Sequence, residues 1–261
     1  MKLLGIGSDA KTVKGEKKGY LTAITYLAPS DASGVTNTCP SASRGCRKAC
    51  LFTSGRGRMS NVMEARINKT KFFVDNQESF MLQLEKEIVA FIKKASKLDL
   101  IPCVRLNGTS DIAWEDIKLE GKNIMERFAG LQFYDYTKRL SRVADYANGK
   151  LPKNYHLTFS RSENTSDETV KDILNRGVNV AVVYADELPA SDFGFVEVIN
   201  GDESDLRFRD KMGVIVGLIY KRTTETIDDA IESGFVLHGR FTNRVQARLD
   251  KTKGKDAMVI A

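Results

Sequence analysis

The chain has 261 residues, is 42% hydrophobic and 28% charged, and carries a formal net charge of +6 with only four cysteines. Those proportions describe an ordinary globular chain and exclude collagen-like, disulfide-dense and largely disordered classes. No run approaches the ~20 apolar residues of a membrane span, and the apolar stretch within residues 1–9 is too short for a secretory leader; the expectation is a cytoplasmic protein with no membrane partner.

Residues 20–28 (YLTAITYLA) alternate and are β-branched, which predicts a first strand. A cysteine-bearing loop follows at about 36–58. Over 61–98, Phe73, Phe80, Leu84, Ile88 and Phe91 recur at helical spacing and predict a long helical region with a core-facing stripe. Further strands are predicted at 101–106, 131–135, 155–160, 178–184, 195–199, 214–218 and 236–238, with helices at 114–128, 139–147, 166–176 and 223–233. Asn148-Gly149, Gly177 and Gly234 stand where helices should stop, Ser166 with Glu168 marks a helix start, and Trp114 is expected to cover one.

Strands alternating with helices imply right-handed crossovers and a parallel sheet. About eight strands in this length predict the α/β class and a single domain over residues 1–261. The expected architecture is a (β/α) barrel, TIM-like and closed or partly open, with an open doubly wound sheet as the alternative. No G-x-G-x-x-G or P-loop pattern follows a strand, which argues against dinucleotide and P-loop nucleotide sites.

In such folds active sites form at the carboxyl ends of the strands. Here those ends carry Asn107-Gly108-Thr109-Ser110-Asp111, Asp135 with Lys138, Ser160-Arg161 with Glu163-Asn164, Asp186-Glu187, Asn200 with Asp202, and His238 with Arg240. Loops are polar everywhere, so each alone means little; the set predicts a polar mouth. His156, Thr158 and Ser160 share one strand face and predict a polar interior. His238, at a strand end, is the better placed of the two histidines for proton transfer.

The loop after the first strand reads CPSASRGCRKACLF and sets Cys39, Cys46 and Cys50 in C-x6-C-x3-C spacing. Thiolates select zinc, copper(I) or iron–sulfur clusters. A structural zinc site wants four ligands, whereas three cysteines holding four irons leave one iron open. Cys103 lies about 13 Å below the rim, at ~3.3 Å per residue, and is read as a buried core thiol. An odd cluster in a cytoplasmic protein argues against disulfides.

Charge is concentrated in the same region. Residues 44–71 hold eight basic residues against one acid, while the rest of the chain has 32 basic and 33 acidic residues. The whole positive excess lies in one segment and invites an anion, nucleic acid included.

A three-cysteine loop after the first strand of a (β/α) barrel resembles the radical S-adenosylmethionine superfamily, whose spacing is C-x3-C-x2-C. That resemblance implies a 4Fe-4S cluster on Cys39, Cys46 and Cys50. S-adenosylmethionine would lie against Asn107, Gly108, Thr109, Ser110 and Asp111, with Ser160 and Asn164 near its ribose. The phrases CPSASRGCRKACLFTSGRGR, RLNGTSD, FYDYTK, INGDESDLRFRD and GVIVGL also resemble a family of bacteriophage proteins, the gene product eighty-eight family. This resemblance implies a viral protein made in the cytoplasm of an infected bacterium.

Three functions follow as expectations. The first is an iron–sulfur protein with an open iron for a small ligand or substrate. Its pocket would be lined by Asp135, Lys138, Ser160, Arg161, Asp186 and His238, with Asp135, Lys138 and His238 as catalytic candidates. The second is a nucleic-acid-binding or nuclease-like protein. It would use segment 44–71, with Phe52, Phe72 and Phe73 stacking on bases and Asp111, Asp135, Asp186, Asp202 and Asp205 holding Mg2+. The third is a zinc module without catalysis.

Overall fold

The computed structural model describes residues 1–7, 10–194 and 196–240. A ten-stranded, mostly parallel sheet forms its centre. The chain enters on β1 (Leu4–Ile6) and α1 (Ala10–Glu16), both unexpected from the sequence, and β1 pairs antiparallel with β2 (Tyr20–Thr25). Then come α2 (Arg44–Lys48), α3 (Ser60–Asp75), α4 (Gln77–Lys97) and β3 (Ile101–Arg105). The hairpin β4 (Lys118–Leu119) and β5 (Lys122–Asn123) leads into α5 (Ile124–Arg127). The remaining elements are β6 (Gln132–Thr137), α6 (Leu140–Ala147), β7 (Tyr155–Ser160), α7 (Asp167–Asn175), β8 (Val180–Tyr184), β9 (Ser191–Asp192), β10 (Val196–Asn200), β11 (Ile215–Ile219), α8 (Ile227–Glu232) and β12 (Val236–Leu237).

Strands β2, β3, β6, β7 and β8 lie side by side in chain order, as successive crossovers in a (β/α) barrel would place them. The order then changes. β11 sits beside β8, β10 beyond β11, and β9 closes the path as an antiparallel edge. No pairing joins the two ends of the path among the described residues. The α/β class and parallel core are therefore as expected, and the arrangement is a large, mostly parallel sheet.

One irregularity positions the mouth. β7 pairs with β8 only at Phe159–Val180 and Ser160–Ala181, and higher up that flank of β8 is taken by β12, at Val236–Val183 and Leu237–Tyr184. The sheet splits at the carboxyl end of β7. Arg161 bridges the split, its Nη1 donating to the carbonyls of Gly234 (2.8 Å) and Phe235 (3.4 Å).

The helical stripe of Phe73, Phe80, Leu84, Ile88 and Phe91 is buried as predicted, against Leu21, Ala23, Val104 and Phe133. The single long helix is instead two. Asn76 leaves the helical region at φ −151°, and its side chain accepts from Ser79 N to start α4. The helix expected at 114–128 is also corrected. Trp114 begins a 3-10 turn (Trp114–Asp116), and only α5, with its Asn123/Glu126 capping box, is helical. Trp114 is fully buried, stacks on Phe80 and donates from Nε1 to Asn107 Oδ1 at 3.1 Å, so its packing and loop contacts override helix propensity. The stops at Gly149, Gly177 and Gly234 adopt φ of 69°, 79° and 78°, and Ser166 caps α7 through Thr169 N. The strand expected at 195–199 begins at Val196, position 195 lying outside the described residues. No described helix is long and apolar enough to cross a membrane.

The sheet's interior is polar but filled. After β10 the chain doubles back so that Asp205 accepts from Arg105 Nη1 (3.0 Å) and Tyr134 Oη (3.2 Å), while Phe208 meets Tyr20 edge-on and Tyr134 at a tilt. Cys103 is fully buried there, 3.2 Å from Thr22 Oγ1, as the core thiol the sequence predicts. Burial pushes that thiol up to about 12. His156 rests its Nδ1 3.0 Å from Tyr146 Oη, and burial lowers it to about 4, so it is a neutral core histidine.

Candidate functional site

The three cysteines of the loop are free and half-buried. They lie close enough to act on one another electrostatically. Burial raises the Cys50 thiol to about 11, with Cys46 and Cys39 adding to the rise. Burial also raises Cys39, with Cys46 and Asp111 adding to it. Cys46 is raised by burial although Lys138 opposes the shift. Among the described residues no three His, Cys, Asp or Glu side chains form a compact ligand set for one metal ion.

Four strand ends fix this loop. From β2, Thr38 donates to the Ala28 carbonyl at 2.6 Å, and Ala28 N donates to Thr70 of α3 at 2.9 Å. From the β3 end, Asp111 N donates to the Thr38 carbonyl (2.8 Å), and the Cys39 thiol lies 3.6 Å from the Thr109 carbonyl. From the β7 end, Glu163 accepts from Ser43 Oγ and Gly45 N, each at 2.6 Å; Ser43 Oγ in turn accepts from Cys46 N at 3.2 Å and caps α2. From the start of β12, Phe235 and Val236 belong to the small cluster against which Cys46 packs. A Cβ on Gly45 would lie 2.7 Å from Phe235 Cβ and 3.0 Å from the Glu163 oxygens, so only glycine fits there.

Two cations lie near the thiols, and neither closes an ion pair with a carboxylate among the described residues. Lys138 Nζ donates only to neutral oxygens, those of Ser160 (carbonyl 3.1 Å, Oγ 2.9 Å) and the Arg161 carbonyl (3.0 Å), and lies over the Phe235 ring. Burial lowers its pKa, and the nearby Cys46, Asp111 and Glu163 work against that shift. The Arg66 guanidinium lies 4.8 Å over Tyr26 and 5.5 Å from the Phe52 ring centre, and its buried Nη1 has no hydrogen-bond partner among the described residues. Burial lowers its pKa too, with Cys50 opposing. The Arg66 guanidinium, with no acid paired to it among the described residues, is costly to bury unless negative charge arrives there.

The β3-end residues form a scaffold. Asn107 Oδ1 accepts from Ser110 Oγ (2.8 Å), Ile112 N (2.9 Å) and Trp114 Nε1 (3.1 Å), and its Nδ2 donates to Ile112 O and Asp135. Thr109 Oγ1 donates to Leu27 O at 2.6 Å, and Gly108 leaves no room for a Cβ against Ile24 and Tyr26. Asp111 accepts from Arg142 Nη1 and Lys138 N, both at 2.8 Å. Asp135 is fully buried; it accepts from Asn107 N (2.7 Å) and Tyr155 Oη (2.9 Å), and burial raises it to about 7. Ser160 meets Lys138, whereas Asn164 is exposed, and the neighbouring Glu163 is the residue of that loop that reaches the cysteines. His238 lies 3.6 Å from Asp186, which also accepts from Gly239 N (2.9 Å) and meets Arg240.

The set expected to hold Mg2+ does not converge. Asp111 pairs with Arg142, Asp135 with Asn107 and Tyr155, Asp186 with Arg240, Asp202 with Lys221 and Asp205 with Arg105. The phenylalanines expected to stack on bases are committed elsewhere: Phe52 and Phe73 are buried, and Phe72 lies against Phe80. Sequence reasoning missed the roles of Ser43, Glu163 and Arg66. Ser43 three residues before Cys46 was the one readable cap signal.

No curated protein and no solved structure matches the chain, so the resemblance to radical S-adenosylmethionine proteins has no support from relatives. The family model described as Gene product 88 matches residues 2–239, which takes in the cysteine loop and the strand ends described above as far as Gly239. The motif wording and this match agree, and the chain belongs to the gene product 88 family.

Proposed function

We propose that the protein is an iron–sulfur protein in which Cys39, Cys46 and Cys50 hold a 4Fe-4S cluster with one iron open to a small ligand or substrate. The observation that carries this reading is the grouping of three free thiols with two cations, Lys138 by Cys46 and Arg66 by Cys50, neither of which closes an ion pair with a carboxylate among the described residues. Thiolate clusters carry net negative charge, which such cations offset. Each cluster thiolate binds its own iron, so the sulfurs need to ring a cube and not meet at one point. A single zinc requires every sulfur at about 2.3 Å from one centre, and no compact set of that kind is present among the described residues.

When bound, such a cluster supplies one-electron redox chemistry and a Lewis-acidic iron. The chain's own residues then hold and shield it. Glu163 and Ser43 fix the backbone at Cys46, Phe235 and Phe52 exclude water, and Lys138 and Arg66 balance charge. Asn107, Thr109, Ser110 and Asp111 spend their side chains on the loop itself, so the proposal stops short of S-adenosylmethionine. Free thiols fit the reducing cytoplasm of an infected host.

Anaerobic purification and reconstitution with iron and sulfide, followed by metal analysis and paramagnetic resonance, tests the reading. The expected result is a brown protein with about four irons that is lost on Cys39→Ser, Cys46→Ser or Cys50→Ser and kept in Cys103→Ala. A folded, colourless protein, or iron that survives the three loop substitutions, would overturn it.

A further inference from the structure

The basic segment is sorted by the fold into an inner and an outer set. Arg66 turns in toward Cys50, and Lys69 reaches the Leu3 carbonyl at 3.3 Å. Arg47 pairs with Asp31 and Lys48 with Glu225. Arg44, Arg56 and Arg58 remain exposed, with no ion pair among the described residues. A distant segment joins them: Ser54 Oγ donates to the Arg222 carbonyl at 2.9 Å and Thr224 Oγ1 meets Thr53 Oγ1 at 3.5 Å, which brings the exposed Arg222 to the same rim, also without an ion pair. Four arginines without an ion pair among the described residues thus edge the thiol mouth, drawn from residues more than 160 positions apart.

Their chemistry selects a partner. The planar guanidinium fork matches phosphate oxygens, and an unpaired cluster on one edge attracts a polyanion. Among the described residues no Phe, Tyr or Trp is an exposed large hydrophobic side chain. Single-strand binders need aromatic platforms for bases, so this rim has what reads phosphates and lacks what reads unstacked bases. Duplex carries one charge per about 1.7 Å of axis and needs no stacking. An interfacial membrane helix needs a broad apolar face; within 44–58 only Leu51 stands out as an exposed large apolar side chain, on a 3-10 turn.

We propose that the rim of Arg44, Arg56, Arg58 and Arg222 binds double-stranded nucleic acid through its phosphates and lays it across the thiol mouth. The binding stands on the rim alone; the assignment of nucleic acid as the substrate class of the mouth rests on the cluster reading.

Fluorescence anisotropy with a labelled duplex, its single strand, and anionic vesicles, repeated across salt concentrations, tests this. For the duplex, log affinity is expected to fall linearly with log salt, by about 0.9 per phosphate contact. Changing Arg56, Arg58 and Arg222 together to alanine is expected to flatten that slope by about 3 and to weaken binding at least about tenfold at ~0.1 M salt. The triple lysine variant should retain most of the slope. No duplex binding at low salt, an unchanged slope in the alanine variant, or equal or tighter binding of single strand or vesicles would overturn the proposal. Iron is measured in the same samples. Duplex binding without iron sinks the cluster and leaves the rim, and iron without duplex binding does the reverse.

Discussion

Glu163 and Gly45, 118 residues apart in sequence, are joined by a 2.6 Å hydrogen bond from the Gly45 amide to the Glu163 carboxylate. The same carboxylate accepts from Ser43 Oγ, so the end of β7 holds the turn that presents Cys46. Charge-assisted bonds of this kind contribute roughly 1.5–3 kcal/mol each when formed. Glu163→Gln removes the charge and leaves one acceptor oxygen where Ser43 Oγ and Gly45 N each use their own. Amide exchange at Gly45 and Cys46 is expected to quicken at least about tenfold, and exchange at wild-type rates would discount the clamp. Gly45→Ala should be worse, because its Cβ meets Phe235. Burial works to raise Glu163, but the bonds from Ser43 and Gly45 outweigh it and the pKa is lowered. A lowered carboxylate stabilises above its ordinary range and loses that contribution as pH falls through the lowered value. The wild-type loop should therefore open on acidification, and the glutamine variant should lack that dependence.

Arg142 is the hub of a buried charge network, bonded to Glu115 (2.6 and 2.9 Å), Asp111 (2.8 Å) and Tyr155 (2.7 Å). Removing one partner of such a pair strands the others without water and costs about 3–5 kcal/mol. Arg142→Met is expected to lower the urea midpoint accordingly with an unchanged slope. A loss under about 1 kcal/mol would mean that Asp111 and Glu115 are reached by solvent.

Asp135 should impose a pH dependence of the opposite sign. Its pKa is pushed up to about 7 by burial, despite the opposing bond from Asn107. A raised carboxylate leaves stability fully present below the unfolded value and lost as pH climbs through the folded one. Wild-type stability should fall between roughly pH 4 and 7. Asp135→Asn should remove that slope while losing the bond from Asn107 Nδ2. Parallel curves for the two proteins in chemical denaturation would show that Asp135 is not the titrating group.

Arg66 offers a test tied to the thiols. With a cluster in place, its guanidinium lowers the cost of adding an electron to an anionic centre. Arg66→Met keeps the stem over Tyr26 and Phe52 and removes the charge. The reduction potential, read by redox titration under paramagnetic resonance, is expected to become more negative; a potential at the wild-type value would place the charge too far away to matter.

The parts legible in sequence are those that periodicity and punctuation encode. Alternation and the 3.6-residue stripe predicted the parallel strands and the buried face of Phe80, Leu84, Ile88 and Phe91. Glycines at 149, 177 and 234 marked helix ends because only the left-handed region closes those turns without strain. The helix expected at 114–128 failed because Trp114 and Asn107 bind across a loop, a contact that no local pattern announces.

The sequence by itself determined that three thiols follow the first parallel strand, that Cys103 lies in the interior, and that the positive excess falls within 44–71. Only the tertiary structure decided which charges are spent. Pairing depends on distances between residues far apart in the chain: Asp111 found Arg142, Asp205 found Arg105, and Glu163 found the turn at Cys46. It likewise turned Arg66 inward, brought Arg222 to the rim and took Phe52 and Phe73 into the core. Side-chain spacing along a strand or helix fixes the face on which a group emerges, whereas crossovers and the split between β7 and β12 fix what it meets there.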